Sequence, residues 1–317
     1  MENLHMFDYT FLQDKPPQGV ALLLEEIKRS QERLRDYRRA YPGIYSAVER
    51  AGRVRSLLAA CGGGGSEGRA GEICARNSPP ITDGEKDMAA YRDALFEIQL
   101  GHPALGPCRR DLLRLYGLAL PRPAGTGGYY REGAGESPLP PEEVEGAMEA
   151  WEQAAQEDSL LAVPCLLADF ARIEPFSPGG RRMGCLVARM LLQRAGVALP
   201  SSWEETAGRY GGLCRAALAR IGEEGYWPFI QCFFMLLYLC GQQAEKAFSL
   251  LPGRRMTKKS RVEAVVAGSL MPISKGEICR ILPDVSPTTV EAALGELVKG
   301  GVVVRHGPAR TARYGLA

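Results

Sequence analysis

Apolar residues recur at helical spacing through almost the whole of this chain, and that periodicity points to a helical fold before any motif is read. Val20, Leu23, Leu24, Ile27, Leu34 and Tyr37 alternate with Glu, Lys and Arg, so residues 18–41 form an amphipathic helix against a core. Thr82, followed three residues later by Glu85, opens a helix in which Met88, Tyr91, Leu95 and Ile98 repeat. Further helices are expected over 107–118, 141–156 (started by Pro141), 159–172, 180–195, 205–222 and 227–250. Residues 42–80 contain the glycine tract Gly62–Gly65, a poor helix, and 121–140 are rich in Pro and Gly and read as a loop or short hairpin. The longest apolar stretch, Tyr226 to Cys240, is roughly fifteen residues and includes Gln231, too short to span a bilayer.

The rhythm changes near the end. Pro252-Gly253-Arg254-Arg255-Met256 is the best candidate linker, and a helix over 258–270 follows. Ser274 caps a short helix ending near Leu282, Pro283-Asp284-Val285 makes a turn, and Ser286 caps a second helix from Pro287 to Lys299. Gly300-Gly301 stops it, and Val302-Val303-Val304-Arg305 enters a strand before the turn at His306-Gly307-Pro308. A helix-turn-helix followed by a β-ribbon is the pattern of a winged helix. The expected division is an N-terminal helical region over 1–80, a main helical domain over 81–251 and a winged helix over 252–317.

The formal net charge of +2 favours no polyanionic partner by itself, but the C-terminal segment is distinctly basic. Nine cysteines, odd in number and without a CxxC pair, argue against a disulfide framework or a zinc site, and no metal site is expected. Met1-Glu2-Asn3-Leu4-His5-Met6 has no basic n-region or apolar h-region, so the expected location is the cytoplasm, with no membrane partner.

The stretch Phe170-Ala-Arg-Ile-Glu-Pro-Phe-Ser-Pro-Gly-Gly-Arg-Arg-Met-Gly-Cys-Leu186 resembles the Fic-family signature HPFxDGNGRxxR with its upstream Phe-x-x-Ile. Gly128-Tyr129-Tyr130-Arg131 looks like the family's flap, and Leu139-Pro-Pro-Glu-Glu-Val144 with Met148 and Trp151 resembles the segment after it. Leu191-Leu192-Gln-Arg-Ala-Gly-Val-Ala-Leu199 and Trp227-Pro-Phe-Ile230 resemble the end of the motif helix and the start of the next core helix. The likeness covers about residues 45–315, and many bacterial members also end in a winged helix. It implies a mainly α fold: a Fic-type helical domain with a short flap hairpin, followed by a small winged helix-turn-helix domain.

Within the motif the agreement is partial. Pro175, Phe176, Gly179 and Arg182 match, whereas Glu174 stands for His, Pro178 for the acidic residue, Gly180 for Asn, Arg181 for Gly and Cys185 for the second Arg. In the family the histidine takes a proton from the target hydroxyl as its oxygen attacks the α-phosphate of ATP. A glutamate, with an ordinary pKa of about 4.3, is a weaker base than histidine at about 6.5. Glu174 would also set a negative charge beside a triphosphate; like charges ~4 Å apart at an effective dielectric of ~20 cost on the order of 4 kcal/mol. Its plainer role is to face the N-terminus of the following helix. Pro178 has no side-chain oxygen for Mg²⁺.

Normal AMP transfer is therefore not expected, and Glu174 is a catalytic candidate only by position. Gly179, Gly180, Arg181 and Arg182 retain an anion-binding character at a helix start. Any ATP binding there is expected to be weak and independent of Mg²⁺, and no cofactor is required. The resemblance aligns Gly63-Gly64-Gly65-Ser66-Glu67-Gly68 with the inhibitory motif (S/T)xxxE(G/N), in which the glutamate pairs with the arginine replaced here by Cys185. Glu67 is thus the inhibitory-motif position, beside a tract that disfavours helix by ~1 kcal/mol per glycine.

Tyr129, Tyr130 and Arg131 occupy the flap, where an added strand of a protein or peptide target would pair. The alternative is a surface loop with two packing tyrosines. In the winged helix, Thr288, Thr289, Arg305, Arg310 and Arg313 are candidate DNA contacts, with His306 and the basic residues from Arg254 to Arg261 beside them. Glu291 and Glu296 on the same recognition helix leave a protein partner equally open. Three functions follow. The first is a degenerate Fic-fold regulatory module that binds a peptide or nucleotide and contacts DNA or protein through its winged helix. The alternatives are a nucleotidyltransferase with altered catalytic residues, and a transcription regulator that uses the Fic part as a scaffold.

Overall fold

The structure is a computed structural model that describes residues 6–62, 65–99, 105–120, 130, 139–156, 158–249, 257–267, 269, 272–308 and 312–316. It is mainly helical, as the periodicity requires. Helix α1 (Gln18–Ala40) lies along α12 (Trp227–Ser249), and Arg33 joins them by a two-pronged ion pair to Glu245 at 2.7 and 2.9 Å. Helix α2 (Pro42–Ala60) starts on Pro42 and stops just before Gly62, whose φ of +83° suits glycine alone. Gly62 thus lies just past a helix end, and Gly63 and Gly64 lie outside the described residues. Helix α3 (Glu67–Cys74) follows, with the Ser66 side chain accepting the Arg69 N–H. Thr82 and Glu85 cap α4 (Asp83–Gln99) reciprocally, as their spacing predicts.

Helices α5 (Arg109–Ala119), α6 (Pro141–Ala154), α7 (Val163–Ile173) and α8 (Gly180–Arg194) complete the surroundings of the motif. The single helix expected over 205–222 is three: α9 (Trp203–Tyr210), α10 (Gly212–Ala219) and α11 (Ile221–Glu224). The first break falls at Gly211-Gly212, where the pair weakens helix by ~1 kcal/mol per residue relative to alanine, and the second at Arg220. Most of the loop expected over 121–140, and the linker Pro252–Met256, lie outside the described residues. No helix among the described residues is long and apolar enough to cross a membrane.

The C-terminal unit runs α13 (Lys258–Ala267), β1 (Ile273–Ser274), α14 (Lys275–Ile281), α15 (Pro287–Lys299), β2 (Val303–His306) and β3 (Arg313–Leu316). Ser274 and Glu277 form a complete capping box on α14, and Ser286 caps α15. The strands make an antiparallel sheet in the order β1-β3-β2. Strand β1 is two residues long and carries no alternation that sequence reading could detect.

One core cluster unites the N-terminal region with the main domain: Val20, Val54, Leu57 and Ile73 belong to it alongside Tyr91, Trp151, Phe176 and Phe234. A second cluster joins Leu34, Ile44, Tyr45, Ala244 and Phe248 to Val262, Ile278, Leu294 and Val303 of the C-terminal unit. Tyr37 and Tyr45 stack on Phe248 at 4.6 and 5.7 Å, so the C-terminal unit shares a core with α1, α2 and α12.

Close approach at Gly52 sets the path of α2. A Cβ there would stand 2.1 Å from the Pro200 carbonyl oxygen, which is backbone and cannot turn aside. Gly52→Ala is expected to destabilise the protein by about 1–3 kcal/mol, as overpacked sites do. Gly117→Ala, in α5 with nothing within 4 Å of the new methyl, should be neutral or stabilising. Urea midpoints check both, and equal midpoints for the two variants would contradict the account.

Candidate functional site

Helix α7 delivers the motif and is fixed on both flanks. Trp151 donates its indole N–H to the Leu166 carbonyl at 2.8 Å, deep in the core. On the other flank the fully buried Asp169 accepts Tyr226 Oη at 2.6 Å, Tyr9 Oη at 2.8 Å, Phe7 N at 3.1 Å and Arg172 Nη1 at 3.2 Å. Burial pushes its carboxyl above the usual range, against the hydrogen bonds from both tyrosines. The segment before α1 is thereby tied to α7, with Phe11 stacked on Tyr226 at 5.6 Å. The apolar periodicity said nothing of Asp169; an acidic residue inside an otherwise apolar run was the available signal.

Glu174 ends α7 in the left-handed region, at φ 48° and ψ 60°, with its N–H on the Phe170 carbonyl. This backbone state is unusual for a residue other than glycine. Its side chain turns toward the first turn of α8, since a Cβ on Gly180 would stand 3.9 Å from Glu174 Cγ. Pro175 and Phe176 are buried, and Phe176 packs on Tyr116 at 4.6 Å, Tyr130 at 5.5 Å and Phe170 at 6.2 Å. The part of the motif that matches the family at these positions is packing.

Beyond Phe176 the loop turns out to solvent at Ser177 and Pro178 and is held by Tyr116, which donates to the Pro178 carbonyl at 3.1 Å. Gly179, at φ 103°, is the N-cap of α8, and a Cβ there would collide with Leu120 Cδ1 at 2.7 Å. Leu120 thus packs directly against the glycine that begins the helix. The two arginines diverge. Arg181 is exposed and reaches α9, its Nη2 3.3 Å from where a Cβ on Gly208 would be. Arg182 donates to Asp87 Oδ2 at 2.8 Å and to the Ala60 carbonyl at 3.3 Å. Burial opposes its charge, but the Asp87 carboxylate holds the guanidinium more firmly protonated than usual.

Mg²⁺ takes oxygen ligands, usually one or two carboxylates and the phosphates. Pro178 offers none from its side chain, and among the described residues no group of three or more His, Cys, Asp or Glu could hold a metal ion. The donor set at the motif does not fit the ion. Cys185 is half-buried, its thiol pushed up to about 12 by burial and by the nearby Glu204.

Glu67 is exposed at the first position of α3. Tyr130 is buried, with its hydroxyl on Glu152 Oε1 at 3.1 Å, whereas Tyr129 and Arg131 lie outside the described residues. In the C-terminal unit Thr288 is exposed and Thr289 bonds with Ser286 at the start of α15. Arg305 and His306 are exposed on β2, Arg313 donates to the Pro272 carbonyl at 2.9 Å, and Arg310 lies outside the described residues. Other basic groups are matched by acids: Lys259 with Glu296, Arg261 with Asp284 and Lys275 with Glu291. Asp87, Leu120 and Tyr116, none of which the motif names, shape the surroundings of α8.

No protein-family profile matches the chain, and comparison with curated proteins finds no match. Solved structures do match. A Fic family protein from Desulfovibrio desulfuricans superposes with a TM-score of 0.58 and 16% identity, covering 96% of this chain and 98% of that one. A Fic domain containing signaling protein from Bacteroides thetaiotaomicron superposes with a TM-score of 0.53 and 16% identity, covering 76% of this chain and 100% of that one. At such identity the likeness speaks for architecture alone, and on that ground this chain has the fold of Fic proteins.

Proposed function

We propose that this chain is a Fic-fold binding module that has lost ordinary ATP-dependent AMP transfer and acts as a regulator. In this reading the eroded motif or the flap holds a peptide or nucleotide, and a winged helix at the C-terminus contacts protein or DNA. The observation that carries the reading is the state of Arg182, the motif arginine that matches the family, which is engaged by Asp87 and the Ala60 carbonyl. Pro178 without a metal-binding oxygen and Leu120 against Gly179 support the same view. A regulator in which the Fic part serves as scaffold is favoured by a separate observation, the core shared by the C-terminal unit with α1, α2 and α12. Wild-type protein incubated with labelled ATP and Mg²⁺ should take up no label and keep its intact mass. Robust labelling, abolished by Glu174→Ala, would instead make Glu174 a working base and the chain a transferase with altered chemistry.

A further inference from the structure

The C-terminal sheet ends on an open edge. In the order β1-β3-β2, strand β2 has β3 on one side and no neighbouring strand on the other among the described residues. Register sets Val304 opposite Gly315 and His306 opposite Arg313. Side chains alternate along a strand, so Val304 and His306 lie on the face away from buried Val303. A Cβ on Gly315 would stand 3.5 Å from His306 Nε2 and 3.7 Å from Pro272 Cγ, so the imidazole lies beside the glycine. Val304 is the apolar side chain that β2 presents on this face.

Val302 and Val304 are 38% and 42% exposed, and Val298 at the end of α15 is 36% exposed. Val302 and Val304 thus place exposed apolar side chains at and just before the edge strand. Lys299 and Arg305 are exposed cations at its rim, whereas Arg313 is engaged by Glu277 at 3.6 Å and by the Pro272 carbonyl at 2.9 Å. An uncovered edge carrying valines is otherwise an aggregation liability that proteins blunt with charge.

We propose that the outer edge of β2 docks an extended, acidic segment of a partner protein, which adds to the sheet as a further strand. The proposal deepens the reading of the C-terminal unit as a contact module and rests on it. Strand addition needs a row of open N–H and C=O groups, an apolar strip for alternate side chains and a complementary rim. An edge without a neighbouring strand among the described residues, exposed valines and the cations Lys299 and Arg305 meet here. Pairing β2 with a second copy is repulsive in the register that sets Arg305 opposite Arg305, and a dimer in solution that pairs through β2 would count against the proposal. DNA fits poorly as well, because α15 presents Glu291 and Glu296, and the lysines beside them are already paired.

The test uses the full chain, isotope-labelled, with acetyl-Glu-Val-Glu-Val-Glu-amide as probe. Its lysine-for-glutamate counterpart and a short DNA duplex serve as the other arms. The acidic peptide should shift the amides of 303–306 saturably and bind at least about tenfold more tightly than the basic one, a difference of about 1.4 kcal/mol. Val304→Asp, on an exposed position, should weaken binding by a similar factor while leaving the melting temperature unchanged. Arg305→Ala with Lys299→Ala should flatten the salt dependence. Absence of saturable shifts, equal binding of the two peptides, or displacement of the acidic peptide by the duplex would overturn the proposal. Transfer activity in the wild type would overturn the reading of the motif yet leave this result standing, so the two failures are distinguishable.

Discussion

Glu204→Ala is expected to destabilise the protein by about 3–5 kcal/mol, because it leaves the Arg189 charge alone in the core. Both residues are almost fully buried, at 4% and 2% exposure, so water cannot replace the lost partner. Arg189 of α8 grips Glu204 of α9 through Nε and Nη2, both at 2.7 Å, and its Nη2 also donates to Ser56 Oγ of α2 at 2.9 Å. Tyr91 of α4 donates to the same carboxylate at 2.9 Å. Four helices therefore meet on one ion pair. Burial would raise the Glu204 carboxyl, but the Arg189 charge and its hydrogen bonds hold it below the usual range. Urea unfolding of Glu204→Ala, Arg189→Met and the double variant with leucine at 204 checks the account. The double change should cost less than either single one, because no charge is then stranded. Single variants within about 1 kcal/mol of the wild type would contradict it.

Regular elements were legible because each rests on local chemistry. The helical periods of α1, α4 and α8, Pro141 at the start of α6, and Ser274 and Ser286 as caps all stand where the sequence puts them. What escaped was set by long-range packing. Nothing near Asp169 announces that Phe7 and Tyr9, some 160 positions earlier, bond to it. The shared core around Phe248 was equally hidden, since composition marks 252–256 as a linker whatever lies on its two sides. At the motif the residue types were readable, but not their directions. The resemblance makes Arg182 an anion-ligand candidate, and only the fold brings Asp87 to it, 95 positions away.

That contact bears on whether the motif can be restored. Glu174→His returns a base, Pro178→Asp a metal ligand, and Gly180→Asn, Arg181→Gly and Cys185→Arg the phosphate cradle of the family pattern. Base and metal act on one transition state, so either alone should do little, and their effects should be far from additive. We expect no transfer by the wild type, little by Glu174→His and detectable self-modification by the five-fold variant with ATP and Mg²⁺. Recovery of the base alone is worth about 10²–10⁴ in rate once the rest is in place.

Two features of the structure shape the controls. Arg182 faces Asp87, so adding Asp87→Asn should raise the transfer further by freeing the guanidinium. Cys185 is close enough to Glu204, Arg189 and Arg181 to feel their charges, so Cys185→Arg adds a cation beside the buried ion pair and should lower the melting temperature. A four-fold variant that keeps Cys185 separates that cost from the chemistry. Glu67→Gly belongs alongside, because Cys185→Arg also returns the partner that the inhibitory glutamate has in the family. Label transfer and melting temperature, read together, decide the matter. A silent five-fold variant that melts like the wild type would mean that the pocket beyond the motif is gone too. Strong transfer by Glu174→His alone would mean that Pro178 costs the site nothing.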